Sequence, residues 1–287
     1  MNASNDLDGK TIVITGANQG IGKEAAIALG ARGAQLVLVC RNEQKARAAI
    51  GDIERAGAKK VELVVADLSS QRDVRRAARE ILAKHARIDV LLNNAGVFVP
   101  KRAATVDGVE TTLATNHLAY FLLTNLLLDA LKAAGKARIV NVASRAHLRA
   151  KAGVRFDDLQ FARSYSAFDV YSHSKLLNVM WTYELARRLQ GTGVTANSLH
   201  PGVIASGFAQ TYGGWMSWVW KAMGPFLSST KDGARTSIYL ASSPEAEGVS
   251  GKYFADCKEA RSSRVSHDVD AQQRLWRVSE ELTARSA

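Results

Sequence analysis

Cysteine is scarce in this 287-residue sequence: Cys40 and Cys257 are the only two. Two thiols cannot build a disulfide framework or a four-thiolate metal site, and such sparing use of cysteine is typical of a reducing compartment. The first ten residues are polar and include two aspartates, whereas a secretory signal peptide has an apolar central region. We therefore expect a cytoplasmic protein.

Long apolar runs are absent as well. The nearest is the stretch from Leu118 to Leu131, which is interrupted by Thr124, Asn125 and Asp129. It falls short of the roughly 18 apolar residues that span a bilayer, so we expect a core or interface helix there. Proline is rare, with four residues, and no repeat or linker-like tract divides the chain. We predict one domain over residues 1–287.

Acidic residues are outnumbered by basic ones. The sequence has 27 Asp and Glu residues and 38 Lys and Arg residues, which gives a formal net charge of +11. Such an excess can attract phosphates, nucleic acid or an anionic membrane. The two signs are mixed along the chain, however, except in an acid-poor cluster of Arg145, His147, Arg149, Lys151 and Arg155. We favour solvated surface over an anion-binding patch for this cluster. No nucleic-acid-binding motif is found, so we expect no nucleic-acid partner.

Short, continuous apolar runs alternate with helical stretches. Alternation of this kind predicts βαβ units and a parallel sheet, and strands without polar interruptions predict a sheet covered on both faces. The predicted fold is an α/β, single doubly wound Rossmann-type parallel sheet with helices on both faces. The predicted strands are 11–15, 35–39, 61–66, 88–92, 137–142 and 194–199, and the predicted helices are 23–32, 42–55, 70–85, 107–134 and 169–190.

A glycine loop, residues 16–22, joins the first predicted strand to the first predicted helix and reads G-A-N-Q-G-I-G. Glycines let a backbone approach a pyrophosphate closely, and the N–H groups that begin a helix bind anions. The spacing departs from the common G-x-G-x-x-G fingerprint. The loop predicts a dinucleotide site, with a glycine-rich turn that binds nothing as the alternative.

The end of the second predicted strand bears on cofactor choice. An NAD site would place an acid there to bind the ribose 2′-hydroxyl, but the sequence has Cys40 and Arg41, with Lys45 one helical turn later. A guanidinium suits a 2′-phosphate, because it donates a fork of hydrogen bonds. NADP(H) is therefore favoured over NAD(H), and dual specificity stays open.

Tyr171 and Lys175 are four residues apart and lie on one face of a predicted helix. A phenol has a pKa near 10, and a neighbouring ammonium lowers that pKa by favouring the phenolate. This spacing alone arises often by chance. It gains weight from N-N-A-G at 93–96, Ser144 and H-P-G at 200–202, which follow the fourth, fifth and sixth predicted strands, and from Asn116 in the long predicted helix.

In their order and spacing these motifs resemble the short-chain dehydrogenase/reductase family over most of the chain. Further strings resemble its retinol-dehydrogenase-like branch: V-C-R-N at 39–42, N-H-L at 116–118, F-D-D-L at 156–159, Y-S-H-S-K-L at 171–176, L-H-P-G-V at 199–203 and G-K-Y-F-A-D-C at 251–257. The resemblance implies hydride transfer between a nicotinamide and a carbonyl carbon, with no metal required.

The same resemblance implies four catalytic roles. Tyr171 would exchange a proton with the substrate oxygen, and Ser144 would orient that oxygen by a hydrogen bond. Lys175 would bind the nicotinamide ribose and lower the pKa of Tyr171. Asn116 would hold a water that links Lys175 to solvent.

The resemblance also implies a set of cofactor contacts. Two of them depart from the family pattern: Ser206 stands where a Thr is usual, and Gln19 where several NADP-preferring relatives carry a basic residue. Arg41 must then bear most of the 2′-phosphate recognition. The implied contacts are Gly16, Asn18, Gln19, Gly20, Ile21, Gly22, Arg41, Asp67, Leu68, Asn94, Ala95, Gly96, Tyr171, Lys175, Pro201, Gly202 and Ser206.

Two histidines near these motifs are interpreted as structural. His173 lies two residues from Tyr171, about 200° around the helix, so it faces away from that side chain. His117 is expected to pack beside Asn116.

Substrate choice should reside in loops at the carboxyl ends of the strands. The segment 205–229 contains three tryptophans and two methionines between Trp215 and Met223. We interpret it as a substrate lid, with a packed helix or, less favoured, a membrane-surface contact as alternatives. A lid of this composition predicts a small apolar alcohol or carbonyl substrate, and reduction is the favoured direction. Assembly into a homodimer or homotetramer is left open.

Two competing functions were weighed. A catalytically silent NADP-binding regulatory protein would typically lack Tyr171 or Lys175, and both are present. A sugar-nucleotide epimerase or dehydratase of the related extended form would have a G-x-x-G-x-x-G loop and a longer C-terminal substrate domain, and the sequence has neither.

Overall fold

The computed structural model describes residues 6–202 and 229–284. Within them, strands β1 to β8 form one sheet in the order β3-β2-β1-β4-β5-β6-β7-β8, with β8 antiparallel to β7 and the other neighbours parallel. This confirms the predicted sheet. The strands are β1 (Thr11–Thr15), β2 (Gln35–Cys40), β3 (Val61–Val65), β4 (Val90–Asn93), β5 (Arg138–Val142), β6 (Thr195–His200), β7 (Tyr253–Ala255) and β8 (Lys258–Glu259).

Helices cover both faces of the sheet. Along β1, Val13 packs with α3, α5, α7 and α9 on one face, whereas Ile12 and Ile14 pack with α1, α2 and α8 on the other. This arrangement explains why the strands are mainly apolar. The helices are α1 (Gly20–Gly30), α2 (Glu43–Arg55), α3 (Gln71–Leu82), α4 (Thr111–Leu113), α5 (Ala119–Leu126), α6 (Leu128–Ala133), α7 (Ala167–Arg188), α8 (Thr230–Ser242) and α9 (Val269–Ala284).

The prediction of one continuous helix over 107–134 is wrong. Gly108 adopts φ +72°, and the helix begins only at Thr111, after Glu110 caps it. A π-helical segment, Ala114–Leu118, then joins α4 to α5, and a break at Leu127 separates α5 from α6. A π turn contains an extra residue, which the apolar pattern of the sequence does not reveal.

Helix α9 closes the α3, α5 and α7 face. The Trp276 ring lies 5.0 Å from the Phe121 ring between centroids, and the Arg188 guanidinium stacks on Trp276 at 4.1 Å. Side chains of α3 donate hydrogen bonds to carbonyls in the last turn of α9. Gln71 Nε2 donates to Leu282 O at 2.9 Å, and Arg75 Nη2 donates to Thr283 O at 2.6 Å. The apolar patterns of the sequence predicted none of α8, β7, β8 and α9.

The sheet places one crevice at its carboxyl edge. β1 lies between β2 and β4, so the chain turns to opposite sides after β1 and β4, and ligands of open α/β sheets bind at such a switch point. Across 6–202 and 229–284, no helix has the length and apolarity needed to cross a membrane.

Candidate active site

The glycine loop lies against the residues that follow β4. Gly16 has φ +70°, and a Cβ on it would lie 2.9 Å from Ala95 Cα. A Cβ on Gly22 would lie 2.4 Å from Asn94 Nδ2 and 2.6 Å from Gly16 O. These two glycines are therefore required by close backbone approach, independently of any ligand.

The outer side of the same loop is open. Gly20 has φ +58°, and a Cβ on it would meet nothing within 4 Å among the described residues. Helix α1 begins at Gly20, its N-cap Gln19 makes no side-chain capping bond, and its first turn carries no acid. The partial positive charge of this helix N-terminus is thus not neutralised by an acid or a side-chain cap in its own first turn. This arrangement fits the pyrophosphate of a dinucleotide.

Gly22→Ala tests the inner packing of the loop. We expect a loss of about 1–3 kcal/mol in the free energy of unfolding, because the new methyl group overpacks against Gly16 O. Gly51→Ala in α2 is the control, since its Cβ meets only the flexible end of Arg55 at 3.4 Å, and it should gain about 0.5–1 kcal/mol. Thermal denaturation compares the two, and equal stabilities would contradict the packing argument.

Two predicted cofactor residues flank the loop at the ends of β2 and β3. The Arg41 side chain is 71% exposed, and its Nη1 lies 3.9 Å from Asp67 Oδ2. Asp67 Oδ1 also accepts the Ser69 N–H at 2.9 Å. Leu68 is buried in the core. Cys40 lies beneath the loop, near the N–H groups of Ala17 and Asn18, and burial raises the pKa of its thiol to about 11.

Thr15, at the end of β1, is a residue that the sequence analysis did not single out. Its buried hydroxyl accepts the N–H groups of Asn94 at 2.9 Å and Ala95 at 3.0 Å. In the opposite direction, Asn94 Nδ2 donates to Thr15 O at 2.9 Å and to Gly16 O at 3.3 Å. The ends of β1 and β4 are thereby locked together, and the Thr before the first glycine was the available signal.

Helix α7 carries Tyr171 and Lys175 on one face. Lys175 is 3% exposed, and its Nζ donates to Val142 O at 3.0 Å, at the end of β5. The same Nζ lies 5.6 Å from the centre of the Tyr171 ring and 6.0 Å from that of Tyr120. Burial lowers the pKa of Lys175 to about 7. The predicted pair is therefore adjacent in space, with its ammonium group inside the protein.

Asn116 connects the Tyr171 and Lys175 pair to the loop that follows β4. It lies in the π-helical segment, fully buried, and its Oδ1 accepts the Val97 N–H at 2.7 Å. Its Nδ2 donates to Val97 O and to Ser174 Oγ, both at 3.0 Å, and Ser174 Oγ donates to Tyr171 O at 2.8 Å. A Cβ on Gly96 would lie 3.4 Å from Asn116 Oδ1 and 3.5 Å from Lys175 Nζ.

Ser144 and the residues after β6 complete the predicted set. Ser144 caps a short 3₁₀ helix, Arg145–Arg149, and its Oγ accepts the Ala146 N–H at 3.2 Å. Within residues 6–202 and 229–284 the Ser144 hydroxyl donates no hydrogen bond, so its hydrogen can be donated to a ligand. Pro201 and Gly202 follow β6, and Gly202 has φ +89°. Ser206 and residues 205–228 of the lid lie outside the described residues.

Beneath the site, buried polar side chains connect the central strands. Asn93 Nδ2 donates to Thr124 Oγ1 at 3.0 Å and to Asn141 Oδ1 at 2.9 Å, and Asn141 Nδ2 donates to Thr182 Oγ1 at 3.0 Å. These bonds give partners to both Nδ2 atoms and to Asn141 Oδ1, which would otherwise be costly in a core, whereas Asn93 Oδ1 has no partner among the described residues. An Asn inside an apolar strand was the signal for this network, which the sequence analysis did not use.

The two histidines have structural partners. His117 Nδ1 lies 3.3 Å from Asn178 Oδ1, and its Nε2 lies 2.9 Å from Ser279 Oγ in α9. His173 Nε2 accepts the Arg155 N–H at 3.1 Å, away from Tyr171. Burial lowers their pKa values to about 4 and about 3. Of the residues that the structure describes, no three His, Cys, Asp or Glu form a group that could hold a metal ion.

Comparisons with known proteins agree with this geometry. A sequence model of the family described as short chain dehydrogenase matches residues 10–156. The chain is 44% identical over 279 residues to retinol dehydrogenase 12 of Mus musculus, covering 96% of this chain and 87% of that protein. It is 42% identical over 297 residues to retinol dehydrogenase 14 of Homo sapiens, covering 96% and 86%.

Among solved structures, an uncharacterized protein from Mycobacterium paratuberculosis superposes with a TM-score of 0.78 at 32% identity, covering 99% of this chain and 98% of that one. The matched segment contains the glycine loop, Asn116 and Ser144, and the relatives extend the match across Tyr171 and Lys175. The chain belongs to the short-chain dehydrogenase family and, within it, to the retinol-dehydrogenase-like branch.

Proposed function

We propose that the protein is an NADP(H)-dependent oxidoreductase that interconverts an apolar alcohol and its aldehyde or ketone in the cytoplasm. The observation that carries the proposal is the placement of Tyr171 beside the buried Lys175 ammonium, at the edge of the sheet where the glycine loop opens. Family membership supports oxidoreduction between alcohol and carbonyl with a nicotinamide cofactor. We assign residues 1–287 to one dinucleotide-binding and catalytic domain.

Each side chain has a role that its surroundings support. A nicotinamide cofactor bound at the glycine loop supplies or accepts the hydride. Tyr171 gives a proton to the substrate oxygen in reduction and removes it in oxidation. The Lys175 ammonium, 5.6 Å from the Tyr171 ring, favours the ionised phenol. Ser144 donates its free hydroxyl hydrogen to the substrate oxygen.

Asn116 is assigned the role of holding a water that links Lys175 to solvent. Its Nδ2 already donates to Val97 and Ser174, but its Oδ1 keeps a lone pair beyond the bond from Val97. The small space at Gly96 borders both Asn116 Oδ1 and Lys175 Nζ. A proton acceptor at that point would connect the two buried groups.

Arg41 carries the proposed preference for NADP(H). Arg41→Asp should shift the ratio of the NADPH and NADH affinities toward NAD(H) by about 10- to 150-fold. This range corresponds to the loss of one charged hydrogen bond of roughly 1.5–3 kcal/mol. Dissociation constants for NADPH and NADH, measured by fluorescence titration, give the ratio. Arg47→Asp on the exposed side of α2 controls for the altered net charge and should leave the ratio unchanged. If the affinity ratio of Arg41→Asp were unchanged, recognition of the 2′-phosphate would be assigned to Lys45.

The substrate is proposed to be apolar and larger than a short-chain aldehyde. The Phe98 ring meets the Tyr171 ring at 6.0 Å between centroids and an interplanar angle of 60°, so an apolar surface borders the phenol. The relatives named retinol dehydrogenases support the same class of substrate. The lid assignment of 205–229 adds tryptophans and methionines to this surface.

A chain-length series of aldehydes with NADPH tests the proposed activity and the lid together. Wild-type kcat/KM should rise with apolar size by about threefold or more per buried methylene, from roughly 0.8 kcal/mol each. The Trp215→Ala, Trp218→Ala double variant should lose most of that rise while keeping activity on the shortest aldehyde. An equal rise in both proteins would assign the segment to packing. Absence of cofactor oxidation with every carbonyl would instead favour the catalytically silent binding protein.

A further inference from the structure

The peptide unit that follows Ser144 is held at both of its polar groups by histidine side chains. The Ser144 carbonyl oxygen lies 2.6 Å from His147 Nδ1. The Arg145 N–H donates to His200 Nδ1 at 3.3 Å. Both groups belong to one planar peptide. The contacts at the carbonyl and at the N–H therefore fix the plane of this peptide. They also restrict the direction in which the Ser144 side chain points from its Cα.

Only one protonation state of His147 satisfies its neighbours. Its Nε2 accepts the Ser263 N–H at 3.0 Å, so Nε2 must offer a lone pair. Its Nδ1 faces a carbonyl oxygen, which can only accept, so Nδ1 must carry the proton. His147 is thus a neutral ring that donates to Ser144. Its side chain is fully buried, and burial lowers its pKa. It does not belong to a charged surface cluster.

Packing holds the His147 ring in place. The ring meets Tyr253 of β7 at 4.9 Å between centroids, with an interplanar angle of 62°. Ser263, its other partner, precedes α9 by a short turn. The turn that carries Ser144 is therefore braced by two segments more than a hundred residues later in the chain.

His200 is suited to the second contact. It ends β6, is 7% exposed, and its Nδ1 accepts from the Arg145 N–H. Burial first, and then the Arg145 charge, lower its pKa to about 4, so the accepting lone pair persists at neutral pH.

We propose that His147 and His200 form a histidine clamp that aims the Ser144 hydroxyl at the substrate oxygen, so that both are positioning residues. The clamp rests on the role of Ser144 in the proposed function. Ser144 is half-buried at the start of the turn that follows β5, where the Ala146 N–H bonds to its Oγ and the His147 N–H bonds to its carbonyl. The two histidine side chains add contacts that fix the plane of the peptide after it. A displacement of about 1 Å in a reacting group can cost about 100-fold in rate.

Asparagine and glutamine at position 147 separate the two hydrogen bonds. An asparagine amide reaches the place of Nδ1 and keeps the bond to Ser144 O, whereas a glutamine amide reaches the place of Nε2 and keeps the bond to Ser263 N. We expect His147→Gln to lower kcat by about 10- to 100-fold, with KM and the NADPH dissociation constant within about twofold of wild type. His147→Asn should retain kcat within about threefold.

A double variant distinguishes positioning from general stability. In a Ser144→Ala background, His147→Gln should change kcat by less than about twofold, because the hydroxyl that it aims is gone. Equal losses in the Asn and Gln variants, or losses that multiply in the double variant, would overturn the clamp. A wild-type protein that turns over no carbonyl would refute the proposed function instead. In that event, ¹⁵N NMR of the His147 ring still tests the clamp, which requires a protonated Nδ1 and fails if Nε2 carries the proton.

Discussion

Tyr171→Phe should lower kcat by at least about 100-fold and up to about 10⁴-fold, the range for loss of a general acid–base group. The substitution removes one oxygen and leaves the ring that packs against Phe98. The NADPH dissociation constant should therefore stay within about twofold of wild type. Initial rates at saturating substrate and a fluorescence titration of NADPH measure the two quantities.

Tyr165→Phe is the matched control. Tyr165 lies two residues before α7, and its hydroxyl donates to Val99 O at 2.7 Å. Loss of that neutral hydrogen bond costs about 1 kcal/mol, so kcat should fall by less than about tenfold. If the two variants lost activity equally, Tyr171 would not be the proton-transfer group.

Lys175→Met should abolish most turnover while making the cofactor-free protein more stable. The variant removes the ammonium that favours the Tyr171 phenolate and binds the cofactor ribose in the proposed mechanism. A buried charge without a carboxylate partner is costly, and an apolar side chain of similar length removes that cost. We expect kcat to fall by about 100-fold or more, with a weaker affinity for NADPH.

The gain in stability should depend on pH. Burial sets the pKa of Lys175 to about 7 in the folded protein, against about 10.4 in an unfolded chain. Between these values the unfolded chain binds a proton that the folded one does not, so the stability of wild type falls as the pH is lowered. The advantage of Lys175→Met should therefore grow by about 2 kcal/mol from pH 9 to pH 7 and level off below.

Urea denaturation without cofactor at each pH measures that advantage. Lys132→Met, which removes an exposed ammonium in α6, controls for the loss of one charge. An advantage of Lys175→Met that stayed constant over this range would show that Lys175 is not buried as a strained cation.

Local patterns in the sequence were sufficient to predict much of the fold. The alternation of apolar strands and helical stretches predicted the parallel sheet, because strands that are covered on both faces consist mainly of apolar residues. The spacing of Tyr171 and Lys175 placed them on one helix face. The family resemblance implied that Asn116 and Ser144 belong to the same site. The structure places Asn116 Oδ1 and Lys175 Nζ near one point at Gly96, and Ser144 lies two residues beyond Val142, whose carbonyl binds Lys175.

Features that depend on distant contacts were not predictable in this way. The interruption of 107–134 depends on the buried environment of the π segment, where His117 reaches Ser279 across 162 residues. His147 resembled a surface cation among arginines, because nothing local reveals the Ser263 N–H that fixes its neutral form. Helices α8 and α9 carry mixed polar patterns. The buried residues of α8 face α1 and the sheet and those of α9 face other helices, so neither apolar stripe can be recognised before its partner surface is known.

The C-terminal helix α9 has a consequence for the order in which the protein can be assembled on the ribosome. Its Trp276 and Leu275 complete the apolar face formed by α3, α5 and α7. Because synthesis runs from the N-terminus, these three helices leave the ribosome before α9. Their shared apolar face stays uncovered until α9, up to residue 284, has left the exit tunnel. We therefore expect an interval during synthesis in which this apolar face of the nascent chain is exposed to solvent and to chaperones.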